Sequence, residues 1–98
     1  MSTDVPAGTF DLDAAWRLDA RVSIRPERFG ALLYHFGTRR LSFLKSPTLL
    51  AVVRALAGQP TARAACLGAG VPAGELPRYQ AALATLAASH MICERRSG

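Results

Sequence analysis

At Ser46-Pro47 the hydrophobic rhythm of this chain changes from a period of two to a period of about 3.6, which divides it into a strand-forming part and a helix-forming part. Upstream, Arg21 to Pro26 alternates, with Val22 and Ile24 on one side and Arg21, Ser23 and Arg25 on the other. That is the pattern of a half-buried strand closed by proline. A second run, Phe29 to Phe36, is rich in aromatic and aliphatic residues. Gly37-Thr38 follows, and glycine at the first turn position predicts a two-residue type II′ hairpin loop. Arg39 to Leu44 alternates again, Arg39, Leu41 and Phe43 facing one way and Arg40, Ser42 and Leu44 the other. The expectation is a three-stranded antiparallel meander.

Downstream, Ser46 is placed as an N-cap and Pro47 as the first helical residue, where no amide donor is needed. Leu49, Val52, Val53 and Leu56 fall on one helical stripe, and Gly58 is expected to close it. Thr61 can cap a shorter helix through Leu67. Gly68 to Leu76 holds three glycines and a proline and reads as a loop. Pro77 opens a third helix, in which Leu76, Tyr79, Leu83, Leu86 and His90 share a face. Met91-Ile92-Cys93 reads as a short extended return. The fold class is α+β, a three-stranded antiparallel sheet followed by three helices in an order that resembles a winged helix-turn-helix.

A chain of 98 residues, half of them hydrophobic, is one domain with enough apolar surface for a core that needs no metal or disulfide. Its longest apolar stretch, Leu49 to Ala57, is interrupted by Arg54 and is far short of the ~20 residues of a membrane span. Residues 1–15 mix Pro, Gly, Thr and Asp without periodicity and read as a mobile N-terminal arm, with Trp16 and Leu18 anchoring it to the body. No basic stretch opens the chain as a secretory signal would. Cys66 and Cys93 have no companions and read as reduced, packed thiols of a cytoplasmic protein. The net charge of +5 is uneven: residues 1–19 set four aspartates against Arg17, and residues 20–98 set eleven basic groups against three acidic ones. The acidic arm is either a solvated leader segment or a shield for a basic site. Any macromolecular partner of the body should be acidic.

Catalytic groups are scarce. His35 and His90 have no Asp, Glu or Cys at metal-ligand spacing, so both read as structural or surface residues. Cys66 lies among alanines without a neighbouring base. Glu27, Glu75 and Glu94 are isolated, and Gly68 to Gly74 lacks the Lys-Ser/Thr of a phosphate loop. The expectation is no enzyme, no metal and no cofactor. A basic winged helix invites comparison with DNA-binding regulators. Yet the third helix offers only Arg78 and Gln80 to base edges, while the charge sits on the strands. An adaptor within an enzyme complex is the other alternative.

The third strand, Arg39 to Leu44, can form an open sheet edge. Arg39, Arg40 and Lys45 are then either charges that blunt it or the basic flanks of a docking site for an extended peptide. The outward amide is expected at Arg40 or Ser42, and which of the two depends on a register that the sequence leaves open.

The stretch Arg25-Pro-Glu-Arg-Phe-Gly-Ala-Leu-Leu-Tyr-His-Phe-Gly-Thr-Arg-Arg-Leu-Ser-Phe-Leu-Lys-Ser-Pro resembles the signature of the mycofactocin biosynthesis chaperones. More broadly, the chain is similar to the PqqD-like peptide chaperones of pyrroloquinoline quinone synthesis, the prototype of the RiPP recognition elements. The close likeness covers about residues 16–57 and extends to the helices in layout. It implies a peptide-binding domain over 16–98, without cofactor, that takes the leader of a ribosomally made precursor peptide as an added strand. The peptide would lie between the third strand and third helix and be presented to a radical SAM enzyme. Carried onto this chain, the cleft is lined by Arg39, Arg40, Leu41, Ser42, Phe43, Leu44 and Lys45 on one side. Arg78, Tyr79, Ala82 and Leu86 line the other. Nucleic acid and membrane are not among the implied partners; that the leader is acidic is the expectation of the basic flanks Arg39, Arg40 and Lys45.

Overall fold

Ser46 and Thr61 start helices for the reason their chemistry suggests. The Ser46 hydroxyl accepts from the Leu49 amide at 3.1 Å, and the Thr61 hydroxyl accepts from the Ala64 amide at 3.0 Å. In the computed structural model, which describes residues 10–28 and 30–95, the order is β1 (Trp16–Leu18), β2 (Val22–Glu27), β3 (Gly30–His35), β4 (Leu41–Leu44), α1 (Pro47–Ala55), α2 (Ala62–Gly68), α3 (Leu76–Ala88) and β5 (Ile92–Glu94). Short 3-10 turns at Leu56–Gly58 and Ala73–Glu75 follow α1 and precede α3. The α+β class and the meander β2-β3-β4 are as expected, antiparallel throughout.

One face of that sheet carries the core. Val22, Leu33 and Leu44 point inward against Val52, Val53 and Leu56 of the first helical segment and Leu83 of α3. Burying such side chains stabilises the fold by roughly 1.5–3 kcal/mol each. Cys66 is also interior, and burial pushes its thiol up, which disfavours the reactive thiolate.

The extended return expected at Met91 to Cys93 is β5, Ile92–Glu94, but its partner strand was not foreseen. Trp16–Leu18 pairs antiparallel with Ile92–Glu94, Arg17 opposite Cys93, so both flanks of the domain close on each other. Three residues are too few for a period to register in sequence, and the partner lies at the far end of the chain. The arm expected over residues 1–15 also divides differently. Residues 1–9 lie outside the described residues. Phe10 and Leu12, however, are buried: Phe10 stacks on Trp16 with ring centroids 4.3 Å apart, and Gln80 Nε2 donates to the Phe10 carbonyl. Residues 10–15 therefore belong to the folded body.

The third helix stops sooner than its pattern suggests. His90, expected on its apolar face, is exposed and left-handed, φ 63°. The Met91 amide donates to Leu86 C=O at 2.9 Å and the His90 amide to Ala87 C=O at 3.0 Å, a Schellman closure in which Leu86 and Met91 are buried. His90 occupies the position that glycine usually takes, because that closure brings two core residues together.

Candidate functional site

β4 pairs with β3 alone, so its other side is an open edge among the described residues. The register decides what that edge presents. The His35 amide donates to Arg40 C=O at 3.0 Å, which makes His35 and Arg40 a hydrogen-bonded pair. Bonded and non-bonded pairs alternate in an antiparallel ladder, so Leu33↔Ser42 and Ala31↔Leu44 are bonded as well. Ser42 and Leu44 thus spend their backbone groups on β3. Leu41 and Phe43 direct theirs outward. Their side chains are 60% and 47% exposed, on the sheet face away from the helices.

Two residues hold this edge in place, and neither was singled out from sequence for that task. At Gly30 (φ 156°) a Cβ would stand 1.7 Å from the Leu44 carbonyl oxygen, so only glycine lets β3 and β4 approach. His35 is fully buried and organises the turn into β4: its Nδ1 accepts from the Gly37 amide at 2.9 Å and the Thr38 amide at 3.0 Å. With Nδ1 accepting twice, the ring proton sits on Nε2, which faces Asp19 Oδ1 at 3.8 Å. The expected two-residue II′ turn is replaced by a four-residue loop, Phe36 to Arg39, in which the Arg39 amide donates to His35 C=O at 2.7 Å. Arg39 rather than Gly37 takes the left-handed conformation, φ 62°. Gly37 is needed for room instead, since a Cβ there would lie 2.9 Å from the His35 ring. A histidine two residues before a glycine was the only available signal.

Asp19 braces the other end of the same network. It accepts from the Arg21 amide at 2.8 Å and from Arg21 Nε at 3.3 Å, and these donors hold its carboxyl below the usual carboxylate range. The Arg21 carbonyl in turn accepts from the Phe36 amide at 2.8 Å.

The named site residues are placed as follows. Leu41, Ser42, Phe43 and Leu44 form β4; Arg39 belongs to the preceding loop, Arg40 joins the two, and Lys45 follows the strand. Leu44 is a core residue, 2% exposed. Arg39, Arg40 and Lys45 are exposed and make no ion pair among the described residues. On α3, Arg78 is exposed and 4.0 Å from Glu75, Tyr79 and Ala82 are half-buried, and Leu86 is in the core at 4% exposure. β4 rests on β3 and α1, whereas α3 rests on α2 and β5. The strand residues are therefore brought together as one continuous edge, and the helix residues are not packed closely against it. Among the described residues, no three His, Cys, Asp or Glu side chains converge as metal ligands, and no helix is long and apolar enough to cross a membrane.

The profile of the peptide chaperone MftB family matches residues 15–93, from the residue before β1 to within β5. The chain belongs to the peptide chaperone MftB family. Peptide chaperone MftB of Mycobacterium ulcerans (strain Agy99) is 62% identical over 86 residues, which cover 88% of this chain and 79% of that protein. The MftB of Mycobacterium tuberculosis (strain ATCC 25618 / H37Rv) is 56% identical over 88 residues, 90% of this chain and 81% of that protein. That of Mycolicibacterium smegmatis (strain ATCC 700084 / mc(2)155) is 53% identical over 93 residues, 94% and 91% of the two chains. No solved structure matches this chain, so its likeness to a winged helix is one of element order. The MftB match takes in both sheets and all three helices, and so includes the open edge.

Proposed function

We propose that this chain binds the leader of a ribosomally made precursor peptide in mycofactocin biosynthesis, by adding it as a strand to β4, and presents it to a radical SAM maturase. The observation that carries this reading is the outward backbone of Leu41 and Phe43, unpaired among the described residues, between the exposed cations Arg39, Arg40 and Lys45. The name peptide chaperone, shared by the relatives, supports it. It also describes a protein that carries a substrate rather than transforming one.

The energetics explain why an edge alone is not enough. Two outward residues offer four backbone bonds, together about 4 kcal/mol at ~1 kcal/mol each. Ordering a flexible leader costs about 2–5 kcal/mol, before the entropy of association. Affinity must therefore come from covering Leu41 and Phe43 and from the basic flanks, which favour an acidic leader. Tyr79 and Ala82, half-buried on α3, are the helix positions left to contact it, with Arg78 at the rim; Leu86 contributes from within the core. A DNA-reading role has less support than the sequence offered. Gln80, one of the two α3 side chains suited to base edges, is committed to the Phe10 carbonyl.

Proline separates backbone pairing from side-chain packing. Leu41→Pro removes an outward donor at the first residue of β4 and leaves the β3 ladder intact. Calorimetric titration with the precursor peptide should show affinity at least about tenfold below that of a Leu41→Ala control, with a parental circular dichroism spectrum. A folded Leu41→Pro protein that binds as tightly as the Ala control refutes strand addition at β4.

A further inference from the structure

The meander has two faces, and only one is covered. Tyr34 lies between Ser23 and Leu41 across the strands, and Leu32 between Arg25 and Phe43. These side chains stand on the face opposite the core. Tyr34 meets Phe36 edge-on with ring centroids 5.1 Å apart. Of the exposed large hydrophobics among the described residues, Phe36, Leu41 and Phe43 are on this side, at 61%, 60% and 47%; Leu67 on α2 is the other. A shallow cavity of about 290 Å³ opens here between Glu27, Arg28, Leu32 and Phe43. Contiguous exposed apolar surface of this kind marks an interaction site more often than a free surface.

The charges around the patch select its occupant. Arg25, Arg28, Arg39 and Lys45 are exposed around it, and among the described residues of the three strands Glu27 is the one acid, 3.6 Å from Arg25. A second copy would bring two such rims together, which like-charge repulsion opposes. A protein surface with an apolar centre and acidic surroundings fits both features. Alternate side chains of any strand added to β4 would also project onto this face, next to Leu41 and Phe43.

We propose that the open face of the β2-β3-β4 sheet is a docking surface for a second protein with an acidic-rimmed apolar patch, and that a peptide paired to β4 completes that surface. The second clause rests on the peptide reading above. It assigns the modifying enzyme a composite surface, part chaperone and part substrate, so peptide and enzyme bind with positive coupling.

Two substitutions away from β4 test it. Phe36→Ser removes apolar surface from a side chain that is mostly exposed, and Arg25→Glu reverses a rim charge on β2, with β3 between it and the peptide edge. Binding of the radical SAM enzyme is measured by interferometry, with and without the precursor peptide, and peptide binding by calorimetry. Each variant should weaken enzyme binding at least about tenfold, the Arg25→Glu effect shrinking at high salt, with peptide affinity within twofold of parent. Peptide should tighten the parent–enzyme complex several-fold. A precursor peptide carrying prolines through its pairing segment should lose affinity for the parent and that enhancement, while Phe36→Ser and Arg25→Glu still lose peptide-free enzyme affinity, which separates failure of the edge from failure of the face. Unchanged enzyme binding by both variants overturns the proposal. So does a parental dimer, seen by sedimentation velocity, that Phe36→Ser dissociates, or binding to anionic phosphatidylglycerol vesicles that Phe36→Ser abolishes while enzyme binding is unaffected.

Discussion

The two outer strands of the meander face the same solvent but differ in what they offer it. On β2 the outward positions are Val22, Ile24 and Pro26, because the Phe36 amide donates to the Arg21 carbonyl and the pairs alternate from there. The Val22 amide is already bonded to Asp19 C=O at 3.0 Å, and Pro26 has no amide hydrogen. That leaves Ile24 as the single outward donor of β2 among the described residues. On β4, Leu41 and Phe43 are both available, with apolar side chains instead of the Arg25–Glu27 pair. The contrast teaches that a sheet can defend one edge and leave the other open without changing strand length much. A proline and a bent-back aspartate suffice.

The largest expected disturbance of this contrast is at Gly30. Gly30→Ala forces β4 away from β3 at the Leu44 carbonyl, and should destabilise the fold by about 3 kcal/mol and abolish peptide binding. Urea denaturation followed by calorimetry would check both. Next comes His35→Ala, which leaves the Gly37 and Thr38 amides without their acceptor and opens a void. A loss of about 2–3 kcal/mol is expected, with β4 amides exchanging faster than those of β2 in hydrogen-exchange measurements.

Pro26→Val acts in the opposite direction, restoring an outward donor to the defended edge. Fold stability should change by less than about 1 kcal/mol, but concentration-dependent self-association should become detectable by light scattering. The smallest effect is acidic. Asp19 has its carboxyl pKa lowered below 3.8 by the Arg21 amide, so its contribution is complete above the unfolded value and is lost as pH falls through the lower folded one. Urea midpoints should decline below about pH 4, by an amount worth under about 1 kcal/mol from this group, and Asp19→Asn should flatten that decline.

Much of the fold was legible because it is local. Alternation in Arg21 to Pro26 and in Leu41 to Leu44 announced strands. The Ser46 hydroxyl needs only a partner three residues on, and so does Thr61. The candidate edge was legible in part: the open strand could be named, but the readings in which charge blunts the edge or flanks a guest could not be separated. The outward amide was expected at Arg40 or Ser42, and neither is outward: both are bonded-pair positions facing β3, and Leu41 and Phe43 face out instead, because residue spacing does not say which neighbour takes the first hydrogen bond.

By itself, then, the sequence determined the three strands of the meander and the three helices, where two of the helices begin, and that positive charge gathers on the strands. The tertiary structure decided what depends on groups distant in sequence. Trp16 found Glu94 across the whole domain, and Phe10 settled against Trp16 and α3. A buried imidazole reshaped a turn that glycine alone would have made tighter, and a Leu86–Met91 closure put His90 in glycine's place. Each outcome depends on burial and hydrogen-bond satisfaction among groups that come together only in the folded chain. A local pattern determines conformation, but a backbone donor's partner is set by whichever acceptor packing leaves within reach.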